Sequence, residues 1–158
     1  MKEKDSKYAE AKMLIRKPAK EVFDAFIDPL KTKNFWFTKG SGKLEVNKKV
    51  TWEWEMYGVA ATVDVREIIP DKKIVFEWDD PAIVVEIEFE QLSYDSTYVT
   101  VTESGYQVTG DELLAKIKDS TGGFTTVLDG LKAYLEHDIN LNLVADKFPG
   151  KIRDGNYV

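Results

Sequence analysis

Strict alternation of apolar and polar positions governs the first two thirds of the chain, and a helical period governs the last third. Ala9, Ala11, Met13 and Ile15 alternate with Glu10, Lys12, Leu14 and Arg16, which predicts a first strand. Pro18 follows where the first turn of a helix tolerates it, since its missing N–H would be unpaired there in any case. Val22, Phe23, Phe26 and Ile27 form one apolar stripe on a short helix. Asp28-Pro29 breaks that helix, and Leu30 to Trp36 reads as a second short helix or turn.

Period two resumes after the Gly40-Ser41-Gly42 turn. Val50, Trp52, Trp54 and Met56 share one face, opposed by Thr51, Glu53 and Glu55. Tyr57-Gly58 turns the chain into Val59, Ala61, Val63 and Val65, and Pro70-Asp71 turns it again before Ile74, Phe76 and Trp78. Asp79-Asp80-Pro81 ends that strand. Ile83, Val85, Ile87 and Phe89 alternate with Glu86, Glu88 and Glu90, and Tyr98 to Thr102 supplies a last strand. Connections this short predict sequential antiparallel pairing with one dry face and one wet face. Asp111 to Lys118 is then helix-compatible, Thr121-Gly122-Gly123 is expected to interrupt or thin the helix, and Phe124, Val127, Leu128, Leu131, Tyr134 and Leu135 recur at helical spacing. Gly130 inside that stripe predicts a close approach to the sheet or a kink.

These pieces predict an α+β fold of two layers. An antiparallel sheet of about six strands lies against one long C-terminal helix, with two short helices after the first strand. At 158 residues the chain has single-domain size. The reading is one domain over residues 1–158, with a core at about 8–138 and a loose tail over 139–158.

Composition narrows the functions. Twenty-two basic against 28 acidic residues give −6, which disfavours a nucleic-acid partner. Cysteine is absent and His137 is the sole histidine, so disulfides, thiolate nucleophiles and Cys- or His-rich metal sites are excluded. Charged Met1 to Lys7 precedes no apolar run, and no stretch is long and apolar enough to span a bilayer. The expectation is a soluble cytoplasmic protein, a monomer or weak dimer, with no membrane insertion and no cofactor. The aromatic fraction of 12% stands out, with Trp36, Trp52, Trp54 and Trp78 all in the first half.

Several stretches resemble a known superfamily. Ile15, the Pro18-Ala19 step, Val22-Phe23 and Phe26 resemble the opening of START-like (SRPBCC) domains. Asp28-Pro29 with Trp36, and the segment from Ile69-Pro70-Asp71 to Trp78, resemble the branch related to activators of heat-shock-protein ATPase. So do Gly123-Phe124 and the stripe after it, although that branch often has Trp where Phe124 stands. The resemblance covers about residues 8 to 138 and implies a helix-grip fold. It also implies a range of functions, from lipid and hormone binding to cyclases and co-chaperones.

The leading expectation is a cavity between sheet and long helix that takes a small apolar or aromatic molecule, a lipid among the candidates. The sheet would contribute Trp52, Trp54, Val63, Phe76, Trp78, Ile87 and Phe89, and the helix Phe124, Leu128 and Leu131. The same residues would equally serve as a filled core. Glu67 and Gln91 continue the apolar phase of their strands and, with Tyr98 or Tyr106, are candidate polar anchors; the alternative puts Glu67 and Gln91 at strand ends in water. Glu53, Glu55, Glu86, Glu88 and Glu90 read as a solvated face rather than a metal or glycosidase site. Beside this non-enzymatic reading stand two others. One is a co-chaperone-like module with a chaperone partner and a role in stress response. The other is a cavity enzyme of cyclase or hydrolase type, weakened by the absence of Cys and by a lone His.

Overall fold

The computed structural model describes residues 7–78 and 83–150. The predicted alternation becomes a seven-stranded antiparallel sheet. Its strands are β1 (Ala9–Ile15), β2 (Lys39–Gly40), β3 (Lys49–Trp54), β4 (Val59–Ile69), β5 (Lys73–Trp78), β6 (Ile83–Ser93) and β7 (Ser96–Ser104). Their order is β1-β7-β6-β5-β4-β3-β2, so the meander β2 to β7 runs sequentially and β1 closes onto the last strand. The two-residue β2 adds to the six strands expected. The strand stop predicted at Asp79-Asp80-Pro81 lies outside the described residues.

Helices α1 (Ala19–Ile27) and α2 (Pro29–Thr32) follow β1. Asp28 ends the first and caps the second, its Oδ1 accepting from the Leu30 N–H at 3.0 Å. The long helix α3 (Gly110–His137) packs on β1 and on the buried face of the sheet, and α4 (Leu143–Lys147) packs back on it. This is the helix-grip arrangement. No helix among the described residues is long and apolar enough to cross a membrane.

Three local expectations are corrected. Thr121-Gly122-Gly123 does not interrupt α3, which runs unbroken for 28 residues. The helix is laced there by hydroxyls returning to the preceding turn, with Thr121 bonding Ile117 O at 2.6 Å and Thr126 bonding Gly122 O at 2.9 Å. Gly130 marks a close approach to the segment after α2 rather than to the sheet, since a Cβ built there would lie 3.3 Å from Phe35 Cβ. The region expected as a loose tail carries α4.

The outer face is a solvated one. Glu86 pairs with Lys73 at 3.5 Å, Glu53 with Lys39 at 3.9 Å, and Arg66 with Glu77 at 2.8 Å. Such half-exposed pairs contribute little stability each. The inner face carries the core. Ile74, Phe76, Val85, Ile87, Val99 and Val101 form its cross-strand rows under Leu128 and Leu131 of α3.

Candidate functional site: a cavity around Glu103

The core is not filled evenly. Toward α1 the aromatic side chains interlock: Phe23 and Phe26 each meet Phe89 edge-on at 5.7 Å, and Phe37 stacks on Trp52 at 4.8 Å. At the other end of the sheet, beside the middle of α3, a cavity of about 240 Å³ opens between helix and sheet. Trp36, Trp54 and Trp78 wall it on one side, Ser120, Gly123, Phe124 and Thr126 of α3 on another. Val144 and Lys147 of α4, with Phe148 beyond, form a third side.

Space exists there because the helix offers small residues. A Cβ built on Gly123 would meet nothing within 4 Å. The wall made by α4 is tied down by Tyr57, in the single 3-10 turn after β3, whose hydroxyl donates to the Val144 carbonyl.

One charged side chain reaches this apolar chamber from the sheet. Glu103 sits near the end of β7, in phase with Val99 and Val101, and is only 4% exposed. Its Oε1 accepts from the Tyr106 hydroxyl at 3.0 Å and from Ser120 Oγ, and its Oε2 accepts from Trp78 Nε1 at 2.9 Å. All three partners are neutral donors. Burial first, and then the facing Glu103 carboxylate, push the Tyr106 phenol well above its ordinary range, so Tyr106 stays protonated as a donor.

The sequence-derived site residues divide between the two ends. Trp54, Trp78 and Phe124 line the cavity. Trp52, Val63, Phe76, Ile87, Phe89, Leu128 and Leu131 lie in the close-packed core and do not line it. Of the four candidate polar anchors, Tyr106 joins the cavity through its hydrogen bond to Glu103, and the other three stand elsewhere for identifiable reasons. A β-bulge between Val65 and Glu67 shifts the phase of β4, so Ile68 takes the inner position and Glu67 turns out to Lys73 at 3.6 Å. Gln91 supplies a helix cap, its Oε1 accepting from the Ala19 N–H at 3.0 Å at the start of α1. Tyr98 falls on the outer phase of β7, opposite Leu14 and Glu90.

Trp36, Glu103 and the α4 wall were not foreseen. Glu103 was within reach, because extending the phase of Val99 and Val101 by one step past Thr102 arrives at it.

A family model described as activator of Hsp90 ATPase homolog 1-like protein matches residues 16–136. The chain belongs to that family. The activator-homologue match spans everything from the end of β1 to the last turn of α3, and therefore most of the cavity, but stops before α4. A protein of Staphylococcus saprophyticus is 30% identical, with 85% of this chain and 95% of that one aligned at a TM-score of 0.75. The Aha1 dimer of Colwellia psychrerythraea is 18% identical over 82% of this chain and 96% of that one, with a TM-score of 0.69. An HSP90 activator of Plasmodium falciparum is 19% identical over 83% and 97%, with a TM-score of 0.66. These last two show likeness of fold alone. Comparison with curated protein sequences gives no match.

Proposed function

We propose that this activator-homologue family member binds a small, largely apolar or aromatic molecule in the cavity around Glu103. The observation that carries the reading is the contrast in packing. The interior is filled to crystal-like density, and beside that tightly interlocked core an aromatic-walled cleft of about 240 Å³ opens to the surface past Asp119 and Phe148. Apolar walls with a few convergent polar groups are the usual make-up of a small-molecule site. The role is recognition rather than turnover, carried out by a cytoplasmic monomer or weak dimer. His137 lies exposed in the last turn of α3, remote in sequence from the Glu103 group.

Titration with 2-phenylethanol, indole and short fatty acids, followed by tryptophan emission and calorimetry, tests the proposal. Saturable binding to the natural chain, lost in Gly123→Leu, which places a side chain in the open space, is the expected result. Absence of saturable binding across all three probe classes and with an organic amine of the same size would overturn it.

A second reading is a co-chaperone-like module acting on a chaperone partner. The family description and the Plasmodium falciparum relative support it. Its test is ATP hydrolysis by a purified Hsp90 with and without this protein: stimulation supports it, and an unchanged rate removes it.

A further inference from the structure

The cavity's polar equipment favours one charge type. Glu103 is buried, faces the chamber and accepts hydrogen bonds from three neutral groups; among the described residues it has no ion-pair partner. Neutral donors stabilise a carboxylate but leave its charge uncompensated, and an uncompensated buried charge is costly. The one cationic residue at the wall among the described residues is Lys147. Its ammonium is held against α3, donating to Gly122 O at 3.2 Å and Thr126 Oγ1 at 3.0 Å. Asp119, exposed at the rim, adds a second negative charge.

The aromatic walls point the same way. Trp36 meets Trp78 and Phe124 edge-on, each at 77°, while Trp78 and Phe124 lie at 25° to one another and Trp54 is tilted 60° from Trp78. With centroids 5.9 to 6.4 Å apart these rings touch one another and make one continuous aromatic wall of the cavity, and the negative faces of aromatic rings attract cations, tryptophan most strongly.

Resting on the cavity reading above, we infer that the ligand is a protonated organic amine with an aromatic or apolar body. Its ammonium would sit toward Glu103 and its body against the aromatic wall. The inference separates this ligand class from fatty acids and other anions, which the same carboxylate would repel.

The test is calorimetric titration with three probes of one shape, 2-phenylethylamine, 2-phenylethanol and 3-phenylpropanoate, at neutral pH. The expected order is amine over alcohol by roughly tenfold, with the carboxylate weakest. In Glu103→Gln the advantage of the amine falls to about one while alcohol binding persists; in Asp119→Asn, a rim control, it changes less than twofold.

Equal or tighter binding of alcohol or carboxylate to the natural chain would overturn the inference. So would an amine advantage unchanged in Glu103→Gln. If circular dichroism shows that Glu103→Gln does not fold, the ranking of probes on the natural chain decides alone. Saturable binding of neutral probes without amine preference refutes only the ammonium assignment. Failure of these three probes together with indole and fatty acids refutes the cavity reading as well.

Discussion

The two ends of the interface between the sheet and α3 use the same inward alternation but reach opposite outcomes. At one end Trp52, 1% exposed, is enclosed by Trp36, Phe37 and Phe76 at centroid distances from 4.8 to 5.3 Å. At the other, Trp54 and Trp78, inward on neighbouring parts of the same sheet, remain half-buried beside open space. The strands do not make this difference; what faces them does. The first end meets large side chains from α1, from the segment after α2 and from Leu128 and Leu131. The second meets Phe124 and Val127 interleaved with the small Ser120, Gly123 and Thr126. An aromatic residue thus becomes core or wall according to the size of its partner across the layer.

The largest expected effect tests that contrast directly. Trp52→Ala should destabilise the protein by about 3–5 kcal/mol in urea denaturation, because no neighbour can collapse into the hole. Trp54→Ala should cost less than half as much, since its ring already borders empty space. Equal costs would mean that the two ends are packed alike.

Next comes the polar group at the open end. Trp78→Phe keeps an aromatic side chain but removes the N–H held by Glu103 Oε2 together with part of the indole, and should cost at least about 1.5–3 kcal/mol, the range for a hydrogen bond to a charged group. A change indistinguishable from zero would show that Glu103 is hydrated from the cavity.

Two glycines of α3 sharpen the comparison at a smaller scale. Gly123→Ala adds a Cβ into open space and should stabilise by about 0.8–1.0 kcal/mol through helix propensity. Gly130→Ala, at the filled end, places its Cβ 3.3 Å from Phe35 Cβ and 3.4 Å from Phe35 O, and should gain nothing or lose stability. Thermal melts should show a rise for Gly123→Ala and none for Gly130→Ala.

The smallest effect is a pH dependence. Burial, then Glu103, raise the folded-state pKa of Tyr106 above the ordinary 10.0. The folded state therefore holds this proton more tightly than the unfolded chain. Its contribution is fully present below pH 10.0 and is lost as pH rises toward the folded value. Tyr106→Phe should flatten the alkaline fall in stability relative to the natural chain. Parallel slopes would remove Tyr106 from the Glu103 group.

The strands, the two short helices and the long helix were legible because each is written as a local period. What lay beyond reading depended on matching one element to another. The bulge that turns Glu67 outward is a registry event between β4 and β5, invisible in the alternation of β4 alone. Gln91 serves α1 across 72 positions of sequence, so its hydrogen-bond role has no local sign. The candidate lining included the inward aromatics of both ends, because alternation reports which face a side chain takes and not what stands opposite it. Glu103 differed: its phase was readable, and only the strand boundary drawn at Thr102 left it out.

The tie between Tyr57 and the Val144 carbonyl joins groups 87 positions apart, and α4 itself contains no buried residue. Docking α4 therefore returns little apolar burial, which places it at the low-stability end of the structure. In kinetic terms the chamber should be completed after the sheet and α3 have docked, and should open again without unfolding them. Amide exchange would then run faster at Val144 and Ala145 than at Leu128 and Leu131, giving a molecule a route to Glu103 that leaves the core intact.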